Sequence, residues 1–369
     1  MNMDVLLAAL VEQKGSDLFI TVDAPPTLKV NGRLVPLGDK PLDRQGALAL
    51  VRESLDEAHF ERYLHTREAN YAIHREGLGR FRVSAFWQQD LPGMVLRRIE
   101  TRIPTFEELT LPSILQEVAM AKRGLVLFVG ATGAGKSTTQ AAMIGYRNQH
   151  GDGHILTVED PVEFVHQHGR CLVTQREVGI DTDSFDVALK NSMRQAPDVI
   201  LIGEIRTQET MELAIQFAET GHLCLATLHA NNANQALDRI LHLVPEAKHR
   251  QFLFDLSFNL RAIVAQQLLP SVNGSRRIAA FEILLNTPLI TDIIRKGEMH
   301  RLKEVMTKSG ELGMQTFDQA LFTLFCAGQI GYSEALAHAD SANDLRLLIK
   351  LSGREQLGAG TLDNVTLDE

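Results

Sequence analysis

The segment from Gly130 to Thr138 has the spacing of a phosphate-binding loop. It reads GATGAGKST and fits the pattern G-x-x-x-x-G-K-[ST]. Its glycines let successive backbone N–H groups turn toward a polyphosphate, which side chains would obstruct. The lysine supplies positive charge for the β- and γ-phosphates, and the hydroxyl after it can ligate Mg²⁺. We therefore predict a nucleoside triphosphate and Mg²⁺ at these loop residues: Gly130, Thr132, Gly133, Ala134, Gly135, Lys136, Ser137 and Thr138.

The segments before and after residues 130–138 indicate whether the match to the phosphate-binding pattern is significant. Residues 125–129 (LVLFV) form a continuous apolar run that is typical of a buried parallel strand. Residues 137–147 predict a helix, whose N-terminus would face the bound anion. We expect the side chain of Lys136 to face solvent when no phosphate is bound.

Carboxylates and a histidine follow other predicted strands. Glu204 comes after residues 199–202 (VILI) and, with Gly203 in the usual aspartate position, is the candidate Mg²⁺ carboxylate. Glu163, in a second carboxylate group with Glu159 and Asp160, could polarise the attacking water, and His229 could sense the γ-phosphate. The alternatives are a simple turn at residues 160–161 and a structural role for the histidine. The order of these segments favours a shared site, because ligands bind at the C-terminal edge of parallel strands.

The rest of the chain predicts two domains. Residues 1–100 mix one helix with short alternating strands, which indicates a small α+β domain, and a proline-containing linker follows at 101–111. Residues 112–352 alternate strand and helix, which predicts an α/β core with a doubly wound parallel sheet. Thr207, Thr316 and Ser341 are predicted helix caps. Beyond Pro245 we expect mostly helix, and residues 353–369 predict a flexible acidic tail.

Composition narrows the functional class. The chain has 369 residues, 22% of them charged, with a net charge of −9, so no global basic field indicates nucleic acid. The three cysteines are scattered and predict a reduced, cytoplasmic setting. No apolar run approaches the length of a membrane span, so we expect membrane association only through partners.

Three longer segments resemble motifs of the secretion ATPase superfamily. Residues 155–166 (ILTVEDPVEFVH), 196–206 (APDVILIGEIR) and 219–230 (ETGHLCLATLHA) are similar to its Asp box, Walker B and His box. Within that superfamily, residues 15–18 (GSDL), 25–32 (PPTLKVNG) and 313–316 (GMQT) resemble the PilT/PilU retraction ATPases of type IV pili.

The resemblance implies a PAS-like N-terminal domain, a RecA-like core and a homo-hexamer with ATP between the two domains. It assigns Glu163 as the catalytic glutamate with Glu204 as its Walker B companion, and leaves open which of them is the base. His222 and His229 match the two His-box histidines. Arg82 and Arg97 resemble N-domain arginines that reach the nucleotide phosphates.

The family implies a function in pilus retraction and twitching motility. Its partners would be an inner-membrane platform protein and a paralogous retraction ATPase, with the chain at the cytoplasmic side of the inner membrane. Residues 289–295 (LITDIIR) lack the first arginine of the principal motor's signature, and together with residues 341–350 they resemble the accessory, PilU-type members. The alternatives are a non-catalytic coupling subunit and a related secretion or DNA-transport ATPase.

Overall fold

The computed structural model describes residues 2–99, 102–274 and 276–353, and within it the chain divides into two compact units. The N-terminal unit contains residues up to 103 together with residues 160–167 and 176–184. The core unit contains 104–159, 168–175 and the chain from 185 onward. Apart from Gly353, the predicted acidic tail lies outside the described residues, as do residues 100 and 101 around the start of the predicted linker.

Over its described residues, the N-terminal unit is a six-stranded antiparallel sheet with three helices. Its strand order is β3-β2-β1-β6-β5-β4. The chain forms a hairpin at Asn31-Gly32, with positive φ at both residues, as a two-residue turn requires. The elements are α1 (Met3–Glu12), β1 (Asp17–Ile20), β2 (Thr27–Val30), β3 (Arg33–Pro36), α2 (Arg44–Glu53), α3 (Glu57–Thr66), β4 (Glu68–Arg75), β5 (Gly79–Gln88) and β6 (Leu91–Arg98).

The core unit is built on a seven-stranded sheet of order β13-β12-β7-β11-β10-β8-β9. The neighbours from β12 to β8 pair in parallel, and β13 pairs with β12 antiparallel. The strands are β7 (Gly124–Val129), β8 (Gly153–Glu159), β9 (Cys171–Glu177), β10 (Val199–Ile202), β11 (Leu223–Leu228), β12 (Leu260–Pro270) and β13 (Arg277–Leu285). The expectation of an α/β core with a smaller α+β domain is therefore confirmed.

The expectation of mostly helix beyond Pro245 is wrong for β12 and β13. These strands form a long hairpin that extends the parallel sheet beside β7. Strand β12 is buried on both faces over most of its length, so its apolar residues show no strand periodicity. Such a run cannot be distinguished from a buried helix by pattern alone.

Helices α8, α13 and α15 (Gln208–Glu219, Phe317–Cys326 and Ala342–Leu351) begin directly after the predicted capping residues. Thr207, Thr316 and Ser341 each accept a hydrogen bond from a backbone N–H in the first turn of the following helix. Among the described residues, no helix is both long and apolar enough to cross a membrane. The helices are α4 (Phe106–Leu109), α5 (Ile114–Ala119), α6 (Lys136–His150), α7 (Phe185–Ser192), α8 (Gln208–Glu219), α9 (Ala233–Leu243), α10 (His249–Asn259), α11 (Pro288–Lys296), α12 (Leu302–Lys308), α13 (Phe317–Cys326), α14 (Tyr332–Ala337) and α15 (Ala342–Leu351).

Part of the predicted linker has regular structure. Thr105 and Glu108 form a capping box at the start of α4. Phe106 in the same turn is 5% exposed and packs in the hydrophobic core of the core unit. Residues 104–111 are therefore attached to the core unit rather than free of it.

Candidate functional site

The phosphate-binding loop connects β7 to α6 and depends on its glycines. Gly130, Gly133 and Gly135 have φ values of 147°, 80° and 87°, which side chains rarely adopt. A Cβ atom at Gly130 would lie 2.5 Å from the backbone oxygen of Gln266, and one at Gly135 would lie 2.8 Å from the Nε2 of Gln266. The loop therefore folds tightly against Gln266 on β12. Sequence reasoning missed this residue, because β12 was not predicted.

Lys136 corrects one expectation from the sequence. Its side chain does not face solvent, since the residue is only 8% exposed. Its Nζ donates hydrogen bonds to the carbonyl oxygens of Gly130 and Ala131, at 2.7 and 2.8 Å. The ammonium group is thus held inside the turn of the loop, where it adds positive charge to a ring of backbone amides.

Helix α6 is fixed to the strands on both sides of β7. The hydroxyl of Thr139 donates to Oε1 of Gln266 at 2.8 Å, and Nε2 of Gln140 donates to the hydroxyl of Thr227 at 3.0 Å. Both pairs are buried. They set the first turn of α6, which carries Ser137 and Thr138, relative to the strand that ends at the His box.

Glu204 lies on a short loop that two backbone hydrogen bonds attach to neighbouring strands. Gly203 N–H donates to Val158 O on β8, and Ile205 N–H donates to Thr227 O on β11, both at 2.8 Å. Each oxygen of the Glu204 carboxylate has a partner among the described residues. Oε2 lies 2.7 Å from a guanidinium nitrogen of Arg206, and Oε1 lies 3.1 Å from Nε2 of His229.

The sheet topology brings the predicted core residues to one edge. The phosphate-binding loop, Glu204 and His229 follow β7, β10 and β11, whose parallel pairing places their C-terminal ends at the same edge. His222 precedes β11 and therefore lies at the other edge, about 20 Å away at the rise of a parallel strand. Its Nδ1 contacts the hydroxyl of Thr220 and the carbonyl oxygen of Phe217, each at 3.0 Å.

The other predicted residues lie in the N-terminal unit. Glu163 is exposed, on the segment 160–167 that follows β8. Arg82 on β5 and Arg97 on β6 are register partners, so they share one face of the sheet. The Nε of Arg97 lies 2.8 Å from a carboxylate oxygen of Asp17, which is 4% exposed.

A cavity of about 350 Å³ within the N-terminal unit is lined in part by Arg82, Asp160 and Glu177. Glu177 is 2% exposed, and its Oε2 accepts from Val162 N–H at 3.3 Å and from Arg80 at 3.4 Å. Burial raises the pKa of this carboxyl, whereas Arg80 and Arg82 lower it. Glu177, which sequence reasoning missed, thus fixes the residue directly before Glu163 to the arginine-bearing strand β5.

The residues of the core unit fit a triphosphate and Mg²⁺ chemically. The loop makes a tight turn against Gln266 that a Cβ atom at Gly130 or Gly135 would prevent, and it surrounds a buried ammonium group. The hydroxyl of Ser137 and the carboxylate of Glu204 are oxygen donors of the kind that Mg²⁺ prefers. A parallel sheet with this loop at its C-terminal edge defines the class of P-loop nucleotide hydrolases.

Comparisons with known proteins identify the family within this class. Residues 76–313 match the model of the family described as "Type II/IV secretion system protein". The chain is 62% identical to "Type IV pilus ATPase PilU" of Pseudomonas aeruginosa, over 95% of this chain and 92% of that protein. It is 38% identical to "Type IV pilus retractation ATPase PilT" of the same organism, over 91% and 97% of the two chains. Its fold matches a crystal structure of the pilus retraction motor PilT with bound ADP at a TM-score of 0.87 and 35% identity, covering 94% of this chain and 98% of that one.

The chain belongs to the type IV pilus retraction ATPases of the type II/IV secretion family. It is more similar to PilU than to PilT, which confirms the interpretation of the motifs. It is therefore an ATP-hydrolysing enzyme by family.

Proposed function

We propose that this protein is a hexameric, ATP-driven motor that powers type IV pilus retraction as the accessory, PilU-type ATPase. The observation that carries the proposal is the 62% identity to PilU over nearly the whole chain, in a protein with a complete phosphate-binding loop. Its partners would be a PilT-like paralogue and the inner-membrane platform protein, at the cytoplasmic face of that membrane.

The chemistry begins with the triphosphate in the loop after β7. Backbone amides and the ammonium of Lys136 bind the β- and γ-phosphates, and the lysine exchanges its carbonyl partners for phosphate oxygens. Mg²⁺, when bound, would neutralise charge on these oxygens, with Ser137 and Glu204 as its protein ligands, Glu204 directly or through water.

Hydrolysis requires a base and a response to the γ-phosphate. Glu163 accepts a proton from water as the water oxygen attacks the γ-phosphorus, and the bond to the β-phosphate oxygen breaks. His229, whose Nε2 already contacts Glu204, senses the γ-phosphate. Arg82 and Arg97 contact the phosphates from the N-terminal unit, and so convert nucleotide state into motion. If Glu204 is instead the base, Glu163 becomes the metal residue.

The experiment that tests the function combines genetics with enzymology. We expect deletion of the gene, alone and together with the gene of its PilT-like paralogue, to reduce pilus retraction measured as twitching. Complementation with wild-type protein should restore retraction, whereas Lys136→Ala should not. Unchanged retraction in both deletion strains would refute the motor function.

A steady-state ATPase assay on the purified protein separates the motor from a non-catalytic coupling subunit. Turnover that Lys136→Ala abolishes supports the motor. Absence of turnover in the wild type, with retraction still dependent on the gene, would favour the coupling subunit.

A further inference from the structure

Glu282 is a buried carboxyl group in the middle of β13, close to the phosphate-binding loop. The residue is 0% exposed. It pairs across the sheet with Ala265 on β12, which pairs in turn with Val129, the last residue before the loop. A carboxyl group in this position is costly unless its oxygens have partners.

The partner of Glu282 is the beginning of α9. Its Oε1 accepts a hydrogen bond from the backbone N–H of Ala233, the first residue of that helix, at 2.8 Å. Its other oxygen, Oε2, is buried and has no hydrogen-bond partner among the described residues. The hydrogen bond from Ala233 is therefore the contact that satisfies this carboxyl group within the described part of the chain, and the N-terminus of α9 favours negative charge there.

The helix that Glu282 contacts leads directly to the nucleotide site. Strand β11 ends at Leu228 and α9 begins at Ala233, so only four residues separate them. His229 is the first of these four, and its Nε2 lies 3.1 Å from Glu204. Because the connection is so short, a contact that fixes Ala233 also limits the position of His229.

A second connection joins the same segment to the C-terminal helices. Asn232, the N-cap of α9, donates from its Nδ2 to Asp340 at 3.2 Å, and Lys303 donates to the other oxygen of Asp340 at 2.5 Å. Asp318 on α13 accepts from the backbone N–H of Asp340 at 2.8 Å. The start of α9 is therefore attached to the region from α12 to α15 through side chains as well as through β13.

We propose that Glu282 is a positioning residue that holds the first turn of α9, and with it His229, in place relative to β13. This proposal rests on the proposed function, in which His229 and Glu204 take part in ATP hydrolysis. Glu282 does not touch the nucleotide. It acts by fixing the segment that carries His229, which contacts the nucleotide in the proposed function. A small displacement of such a residue reduces turnover strongly.

The chemistry of the contact determines the test variants. Glu282→Gln retains an oxygen that can accept from Ala233 N–H, whereas Glu282→Met keeps a side chain of similar length and removes the acceptor. We expect kcat for ATP to fall about tenfold in Glu282→Met while KM changes less than about twofold, because the phosphate-binding loop is untouched. Glu282→Gln should keep kcat within about twofold of wild type.

A matched control separates positioning from general stability. Thr316→Ala removes the cap of α13, whose hydroxyl accepts from Gln319 N–H, and leaves the contact with Ala233 in place. It should lower the melting temperature of the full-length protein as capping variants do, with kcat unchanged. Should Glu282→Met not fold, Glu282→Asp, which withdraws the carboxyl group by one methylene, should give the same loss of kcat in weaker form.

Hydrogen exchange provides a readout that does not depend on turnover. We expect the amides of residues 229–235 to exchange faster in Glu282→Met, or in Glu282→Asp, than in Thr316→Ala. Wild-type exchange in this segment would overturn the proposal, as would equal kcat in Glu282→Met and Thr316→Ala. If the wild-type protein itself shows no ATPase activity, the proposed function fails, and the exchange result still decides whether Glu282 positions the segment.

Discussion

Replacing Lys136 should affect the stability of the core unit as well as ATP turnover, because the residue is 8% exposed and its ammonium group donates hydrogen bonds to the carbonyl oxygens of Gly130 and Ala131. Alanine removes three buried methylene groups beyond Cβ, worth about 0.8 kcal/mol each, or about 2 kcal/mol together. Methionine keeps most of that apolar contact and removes only the ammonium group. Both variants also lose the two hydrogen bonds from the ammonium group, and hydrogen bonds from a charged donor contribute more to stability than neutral ones. Because removing the buried charge is itself favourable, the net loss from this change is about 1 kcal/mol.

We therefore expect the free energy of unfolding to fall by about 3 kcal/mol in Lys136→Ala and by about 1 kcal/mol in Lys136→Met. Urea unfolding followed by circular dichroism measures this difference in the transition of the core unit. Both variants should lose turnover by about a hundredfold or more, because both lack the charge that the transition state requires. Unfolding of both variants at the wild-type midpoint would show that the lysine is not held by the loop carbonyls. Turnover close to wild type in either variant would refute its phosphate role.

Three further predictions concern two glutamates and an arginine. Glu163→Gln should retain ATP binding and lose about two orders of magnitude in hydrolysis, whereas weakened Mg²⁺ binding with retained turnover would make Glu204 the base. Arg82→Ala should keep the fold, because Arg80 still pairs with Glu177 in that variant, and should keep ATP affinity but lower turnover. Lysine at this position should restore turnover only in part, because it lacks the planar fork of donors. Burial raises the pKa of Glu282 from 4.5 to about 7, and Asp340 raises this pKa further whereas Lys303 lowers it. The folded protein therefore binds a proton at Glu282 more tightly than the unfolded chain does, which stabilises the fold at low pH. This stabilisation is lost as the pH rises from 4.5 to about 7. Glu282→Gln should accordingly match wild type near about pH 5 and exceed it in unfolding free energy near about pH 8, by at most about 3 kcal/mol.

The outcomes of these experiments have separate controls. Nucleotide binding in Glu163→Gln and Arg82→Ala is measured with a fluorescent ATP analogue, so that loss of binding is not mistaken for loss of chemistry. If the Arg82→Ala variant supports retraction at the wild-type level, Arg82 has no role at the nucleotide and is an ordinary residue of the sheet surface. For Glu282, a stability difference that does not change with pH would show that the carboxyl group has an ordinary pKa in the folded protein.

The elements around the phosphate-binding loop could be predicted from local sequence. The phosphate-binding loop, the strand before it and the cap at Thr207 depend on residues within a few positions of one another, and all three were predicted. The proximity of Glu204 and His229 followed from the rule that parallel strands share a C-terminal edge.

The features that sequence reasoning missed depend on contacts between distant residues. The contact between Glu282 and Ala233 joins positions 49 residues apart, and the contact between Thr139 and Gln266 joins positions 127 apart. A single carboxylate in an apolar strand carries no local sign of its partner. The direction of the Lys136 side chain was missed for a different reason, because the motif specifies its charge but not its hydrogen bonds when no phosphate is bound.

The path of the chain between the two units has a consequence for synthesis and for protein engineering. The N-terminal unit includes residues 160–167 and 176–184, which lie well beyond its main segment. On the ribosome, this unit cannot be completed until residue 184 has emerged, by which time the phosphate-binding loop and α6 have already been made. A gene fragment that stops near residue 103 would encode Arg80 without Glu177, its buried partner. Exchange of N-terminal units between paralogous motors would therefore require three segments to be transferred together.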